Sequence, residues 1–168
     1  SSDHNTSEQY YFKIDEKNPK PKLIQKREKG ILYSVSSWNG YFYMHTNKNA
    51  EDFKIDKTDN VNFSDWKTFI PAKDETLIGG LTFLKNWIIR SEVSNALGKI
   101  FIRNLKTNTE EELIFCEEKV FDGGVSLIQK DRDTDLIHIS YSTPKTQSRV
   151  YLYNLKTKEK KLVKEQII

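Results

Sequence analysis

The tetrapeptide Asn-Leu-Lys-Thr stands twice in this chain, at Asn104–Thr107 and Asn154–Thr157, 50 residues apart. Its flanks repeat as well. Phe101-Ile102-Arg103 precedes the first copy and Tyr151-Leu152-Tyr153 the second. A polar turn and then an apolar pair follow each, Leu113-Ile114 and Leu162-Val163. A second tetrapeptide, Phe-Lys-Ile-Asp, is duplicated at Phe12–Asp15 and Phe53–Asp56. There too a polar run leads to an apolar pair, Leu23-Ile24 and Phe69-Ile70. Aligning Ile14, Ile55, Leu105 and Leu155 gives spacings of 41, 50 and 50 residues. Such a period constrains the fold more than any other feature, because each repeat must be one supersecondary unit that buries its apolar face on the next.

The segments between these landmarks repeat in kind. Tyr41–Thr46 reads as a strand entered through Trp38-Asn39-Gly40, and Asn-Gly suits a two-residue hairpin because both residues accept positive φ. Trp87–Ser91 and Leu136–Tyr141 are its counterparts, the latter entered through Lys130–Asp135. Ile31–Ser36, Leu77–Phe83 and Phe121–Leu127 lie ahead of them, with Gly79-Gly80 and Gly123-Gly124 at matching places 44 residues apart. No long segment has helical periodicity. Apolar residues stand on both faces of the third strands: Tyr151, Tyr153 and Leu155 on one, Val150 and Leu152 on the other. A sheet covered on both sides needs that pattern, whereas a sandwich sheet alternates more cleanly.

The pattern predicts an all-β chain, a partial β-propeller of about three full four-stranded antiparallel blades plus part of a fourth. The expected blades are residues 30–70, 76–114 and 120–163, with residues 1–24 supplying the outer strands of an incomplete blade, all in one propeller region 1–168. Closed rings hold roughly four to eight blades. The chain is therefore expected to be about half of a propeller, starting in mid-blade.

Composition narrows the function classes. The net charge is +3, from 27 basic and 24 acidic residues interspersed along the chain. No basic stripe is present of the kind that tracks phosphates, so nucleic acid is not an expected partner. No apolar run approaches the roughly 20 residues that cross a bilayer, and the polar start SSDHNTSEQ is no secretory signal, so no membrane partner is expected. Cys116 is the one cysteine, which excludes an internal disulfide and a thiolate metal cluster and fits a reducing compartment. The cytoplasm is the expected location.

Several short stretches in order resemble a known family. They are His4–Glu8 with Tyr10-Tyr11, Tyr33-Ser34-Val35, His45-Thr46-Asn47 with Asp52–Ile55, Trp66, Tyr141–Pro144 and Leu162–Gln166. Together they resemble the C-terminal half of the β-propeller of the prolyl oligopeptidase family, and within it the oligopeptidase B (protease II) group. The loop after Tyr141 is shorter here than in that pattern. The resemblance implies a propeller of about seven blades capping an α/β-hydrolase domain. It further implies a serine oligopeptidase that cleaves after Arg or Lys, with the propeller admitting oligopeptides and excluding folded proteins. It places Ile168 just before the catalytic domain, which is expected to be absent from this chain.

The residues themselves offer no catalytic constellation. A hydrolase of that type needs a G-x-S-x-G elbow that exposes the serine at a strained turn, and none occurs. The nearest match, Gly123-Gly124-Val125-Ser126-Leu127, puts Ser126 inside an expected strand. His4, His45 and His138 are scattered, and His138 alternates with Ile137 and Ile139 as a packed residue would. Glu110-Glu111-Glu112 and Glu117-Glu118 read as solvated turns. Asp131–Asp135 lacks the glycine and distal glutamate of a calcium loop and reads as a charged hairpin turn. Cys116 reads as a small residue at a strand end. No catalytic, cofactor-binding or metal residue is assigned, and no cofactor is expected.

Two function classes follow. One is a non-catalytic propeller segment that limits access to a peptidase domain, its partner being that domain. The other is a stand-alone interaction module, or the remnant of a degenerate gene, forming a homodimer through exposed blade faces.

Overall fold

The computed structural model describes residues 9–11, 22–25, 29–114, 122–143, 145 and 147–165, and every regular element among them is a β-strand. A two-stranded sheet pairs β1 (Gln9–Tyr11) with β2 (Lys22–Gln25). Three four-stranded sheets follow. The first holds β3 (Tyr33–Trp38), β4 (Tyr41–Thr46), β5 (Lys54–Thr58) and β6 (Lys67–Ile70). The second holds β7 (Thr76–Leu84), β8 (Trp87–Ser94), β9 (Leu97–Asn104) and β10 (Thr109–Glu112). The third holds β11 (Asp122–Ser126), β12 (Leu136–Ser142), β13 (Arg149–Asn154) and β14 (Lys160–Glu165). In each, the strands lie side by side in chain order.

The chain forms two compact units, residues 1–78 and 79–168. In the first, Trp38 pairs with Tyr41 around Asn39 and Gly40, whose φ angles of 51° and 80° are those of the expected two-residue hairpin. One face of sheet β3–β6 packs Tyr33, Phe42, Met44 and Phe63, with the Phe42 and Phe63 rings edge-on at 4.8 Å. The segment entering β3 is tied to the end of β4: Leu32 N donates to Asn47 Oδ1 at 2.7 Å, and Thr46 Oγ1 donates to Leu32 O at 2.9 Å.

The second unit holds one core shared by two sheets. Leu84, Trp87, Ile89, Ile100 and Ile102 come from the β7–β10 side; Ile137, Ile139, Tyr153 and Leu155 come from the β11–β14 side. Ile137 and Ile139 are fully enclosed. At about 25 cal/mol per Å² of apolar surface, each such side chain contributes on the order of 2 kcal/mol. The loop before β12 fastens the two sheets further. Lys85 N donates to Arg132 O at 2.8 Å, Arg132 Nη1 to Phe83 O at 2.9 Å, and the buried Trp87 Nε1 to Asp135 Oδ1 at 2.8 Å.

The Asn-Leu-Lys-Thr copies occupy one structural position. Asn104 Oδ1 accepts the N–H groups of Lys106 and Thr107 at 2.9 and 3.3 Å; Asn154 Oδ1 accepts those of Lys156 and Thr157 at 2.9 and 3.0 Å. Leu105 N donates to Asn86 O and Leu155 N to Asp135 O, just ahead of β8 and β12. Asn108 and Lys158 close the two loops at φ 55° and 66°.

The Phe-Lys-Ile-Asp copy at Phe53–Asp56 is not their counterpart. Ile55 pairs with His45 near the start of β5, whereas Leu105 and Leu155 lie just past the ends of β9 and β13. The position that matches Asn104 and Asn154 is Thr58, which pairs with Phe42 at the end of β5 and whose hydroxyl accepts from Asn60 N at 3.1 Å. A shared tetrapeptide outweighed the strand-end turn in that alignment, and the other copy, 12–15, lies outside the described residues.

Candidate functional site

The first strands of the second unit's sheets, β7 and β11, are edge strands, and they border an open cavity of about 210 Å³. Gly80 and Thr82 line it from β7, Ser91 from β8, Ile100 from β9, and Gly124 and Val125 from β11. Alternation along the strand puts Gly80 and Thr82 on one face. The two glycines differ from Gly79 in what a side chain would meet. A Cβ at Gly79 would run into the Ser91 side chain and come within 2.8 Å of the Ser91 carbonyl oxygen. At Gly80 it would meet nothing within 4 Å, and at Gly124 only Ser140 Oγ at 3.8 Å.

Arg90 and Glu92 alternate with Ile89 and Ser91 along β8 and form a buried ion cluster. Arg90 Nε donates to Glu92 Oε2 at 2.7 Å, and its Nη1 and Nη2 reach the two oxygens of Glu110 on β10 at 2.7 and 3.3 Å. Arg103 Nη2 joins Glu110 Oε1 at 3.5 Å, and the Arg90 guanidinium lies 4.6 Å from the Phe101 ring centre. Burial on this scale is tolerated because every charge has a partner of opposite sign. A second cavity, of about 340 Å³, opens near β10 and β13, with Ile102, Leu113, Tyr153 and Leu155 as its apolar wall. Burial pushes the Tyr153 phenol above its usual range; Lys158 opposes that shift and Glu111 adds to it. Lys158 and Glu111 are themselves paired at 3.0 Å.

The residues weighed as chemical candidates are placed apart. His45 stacks on Phe53 at 4.5 Å and its Nε2 lies 2.6 Å from Ile78 O, so the ring is held by main chain. His138 sits in β12 with Ser126 and Leu152 as its register partners, and Ser126 is a residue of β11 rather than of a strand-to-helix elbow. Asp131 Oδ1 caps Asp133 N at 2.9 Å, while Asp133 pairs with Lys85 and Asp135 with Trp87, so this loop's carboxylates serve the fastening of the two sheets. Among the described residues no group of three His, Cys, Asp or Glu side chains could hold a metal ion. His4, Cys116 and Glu117-Glu118 lie outside the described residues.

Glu110–Glu112 are exposed, as expected of three consecutive glutamates, but they are a strand and not a turn. They form β10, paired to Phe101–Arg103, and Glu110 closes on Arg90. The apolar pair expected in that strand falls beyond it, with Ile114 78% exposed. The signal for the cluster was readable: Arg90 and Glu92, of opposite charge and two apart in an apolar strand, must share a face.

These sheet meanders have close counterparts. The model of the family described as "Prolyl oligopeptidase, N-terminal beta-propeller domain" matches residues 1–166. The chain belongs to this propeller family. Its four-stranded sheets are blades, and the fold is a partial β-propeller, as the repeat predicts. Among solved structures, oligopeptidase B from Trypanosoma brucei, in a closed form with covalently bound antipain, aligns with a TM-score of 0.84 at 25% identity. The alignment covers 97% of this chain and 24% of that one. Oligopeptidase B from Leishmania major shares the fold at a TM-score of 0.79 and 17% identity, over 97% of this chain and 24% of that one. Among curated relatives, the Pseudoxanthomonas mexicana dipeptidyl aminopeptidase BI is 25% identical over 147 residues, 86% of this chain and 20% of that protein. The Moraxella lacunata protease 2 is 24% identical over 160 residues, 95% and 23%. The chain thus spans about a fifth to a quarter of its relatives' lengths. The family is one of serine peptidases, and the residues given lie within its propeller domain. No helix among the described residues is long and apolar enough to cross a membrane.

Proposed function

We propose that this chain is the non-catalytic, access-limiting propeller segment of an oligopeptidase B-like serine peptidase. Its blades bound the route to a hydrolase domain outside these residues and exclude bulky substrates, and that domain cleaves after Arg or Lys. The observation that carries this reading is the alignment with the T. brucei oligopeptidase B propeller over 97% of the chain. The absence of any G-x-S-x-G from the sequence supports placing hydrolysis elsewhere. The proposed compartment is the cytoplasm, in keeping with a single cysteine.

Two measurements test it. An arginyl fluorogenic peptide incubated with the chain alone stays intact; turnover abolished by a serine-directed inhibitor would overturn the reading. The reading frame on either side of the segment encodes a G-x-S-x-G hydrolase; a frame without one leaves no domain for the propeller to guard.

A second reading, self-association of the chain as an interaction module or gene remnant, draws on Leu162 and Val163 of β14, which are 44% and 47% exposed. Apolar side chains so placed seek cover. Light scattering decides it: a homodimer supports this reading, and a monomer at high protein concentration removes it.

A further inference from the structure

Gly80 is an interior strand residue with no conformational need to be glycine, since its φ is not in the left-handed region and no neighbour crowds the place of its Cβ. Such a glycine weakens a strand, and it marks a bulge, a tight bend or the close approach of a ligand or another backbone. Here the missing side chain opens the 210 Å³ cavity between the edge strands β7 and β11. That space is smaller than the sites that enclose whole drug-sized ligands and suits one side chain.

Its walls define the chemistry of that side chain. Ile100 and Val125 are aliphatic, and Thr82 and Ser91 are small hydroxyl-bearing residues. Among the described residues that line it, the charged one is Arg90, whose guanidinium is engaged by Glu92 and Glu110. A charge placed there would lose its water without gaining a partner. Beside the cavity run two strand edges, the arrangement that receives an extended chain by strand addition, with side-chain pockets setting specificity.

We infer that this cavity is a binding subsite for one uncharged, aliphatic side chain of an extended peptide lying along the β7 edge. The inference rests on the reading that peptides meet this propeller, and adds that the edge of β7 grips them as well as screens them by size.

The test uses the 168-residue chain with ¹⁵N-labelled amides and two blocked probes, Ala-Ala-Leu-Ala-Ala and Ala-Ala-Lys-Ala-Ala. The leucine probe shifts the amides of Gly80, Thr82 and Gly124, and the lysine probe binds about tenfold more weakly. Gly80→Val fills the cavity and abolishes the shifts. Gly80→Ala, which has open space for its Cβ, weakens them while raising the melting temperature. Equal shifts from both probes, shifts that survive Gly80→Val, or no shifts at millimolar probe would each overturn the inference. Size selection by a full-length peptidase is a separate measurement, so a gate without a subsite and a subsite without a gate are told apart.

Discussion

Arg90 Nε donates to Glu92 Oε2 at 2.7 Å across two positions of one strand, with both side chains almost wholly buried. Removing one partner leaves the other charge uncompensated inside the protein. Arg90→Leu and Glu92→Leu should each cost about 3–5 kcal/mol, while the two changes together should cost much less than their sum. Urea denaturation of the four species measures this, and simple additivity would show that the pair is not coupled.

The indole of Trp87 and the carboxylate of Asp135 make a second contrast. Asp135→Ala strands the buried Trp87 N–H and should cost about 1–3 kcal/mol, with a change in tryptophan emission. Asp135→Asn keeps an acceptor and should retain most of the stability. Lys85 and Asp133 pair nearby with more than half of each side chain exposed, so Lys85→Ala should change stability by less than about 1 kcal/mol.

The adjacent glycines of β7 should respond in opposite directions. Gly79→Ala forces a Cβ into Ser91 and should destabilise by about 1–3 kcal/mol. Gly80→Ala relieves the strand of a glycine in open space and should stabilise by about 0.5–1 kcal/mol. Thermal denaturation separates the two, and a loss at Gly80 as large as that at Gly79 would contradict the described geometry of β7.

Asn104 and Asn154 each satisfy two loop N–H groups through one side-chain oxygen. Alanine at either should cost about 1–2 kcal/mol, and aspartate, which keeps the acceptor, should cost less. Equal effects of alanine and aspartate in melting experiments would assign the role to something other than the acceptor oxygen.

Tyr153 makes stability fall in alkali. Its phenol titrates above the ordinary 10.0 because burial disfavours the phenolate, so the unfolded chain releases its proton first as pH rises. Below that value both states hold the proton and Tyr153 adds no pH dependence. From about 10 upward the folded state is progressively disfavoured until it too ionises. Tyr153→Phe should flatten this part of the stability curve, and an unchanged curve would show that other groups govern it.

The repeat was legible because it is written in turn chemistry: an asparagine that can accept two backbone donors recurs where the chain must reverse. The β-hairpin at Asn39-Gly40 was legible for the same reason. Phe-Lys-Ile-Asp misled because strand interiors reuse the same alternating residues at any register, so identity there carries little positional information. Glu110–Glu112 were legible as exposed but not as a strand, because a run of like charges reads as a turn until its partner is known, and Arg90 lies 20 residues from Glu110 in sequence. The cavity beside Gly80 was beyond reading, since it depends on Val125 and Gly124 of a different sheet.

The core that Ile89 and Ile102 share with Ile137 and Tyr153 belongs to two sheets at once. Neither sheet has a finished interior by itself, so the unit of cooperative melting is a couple rather than a single repeat. Evolution can therefore lengthen or shorten such an array only by transferring a surface together with its mate.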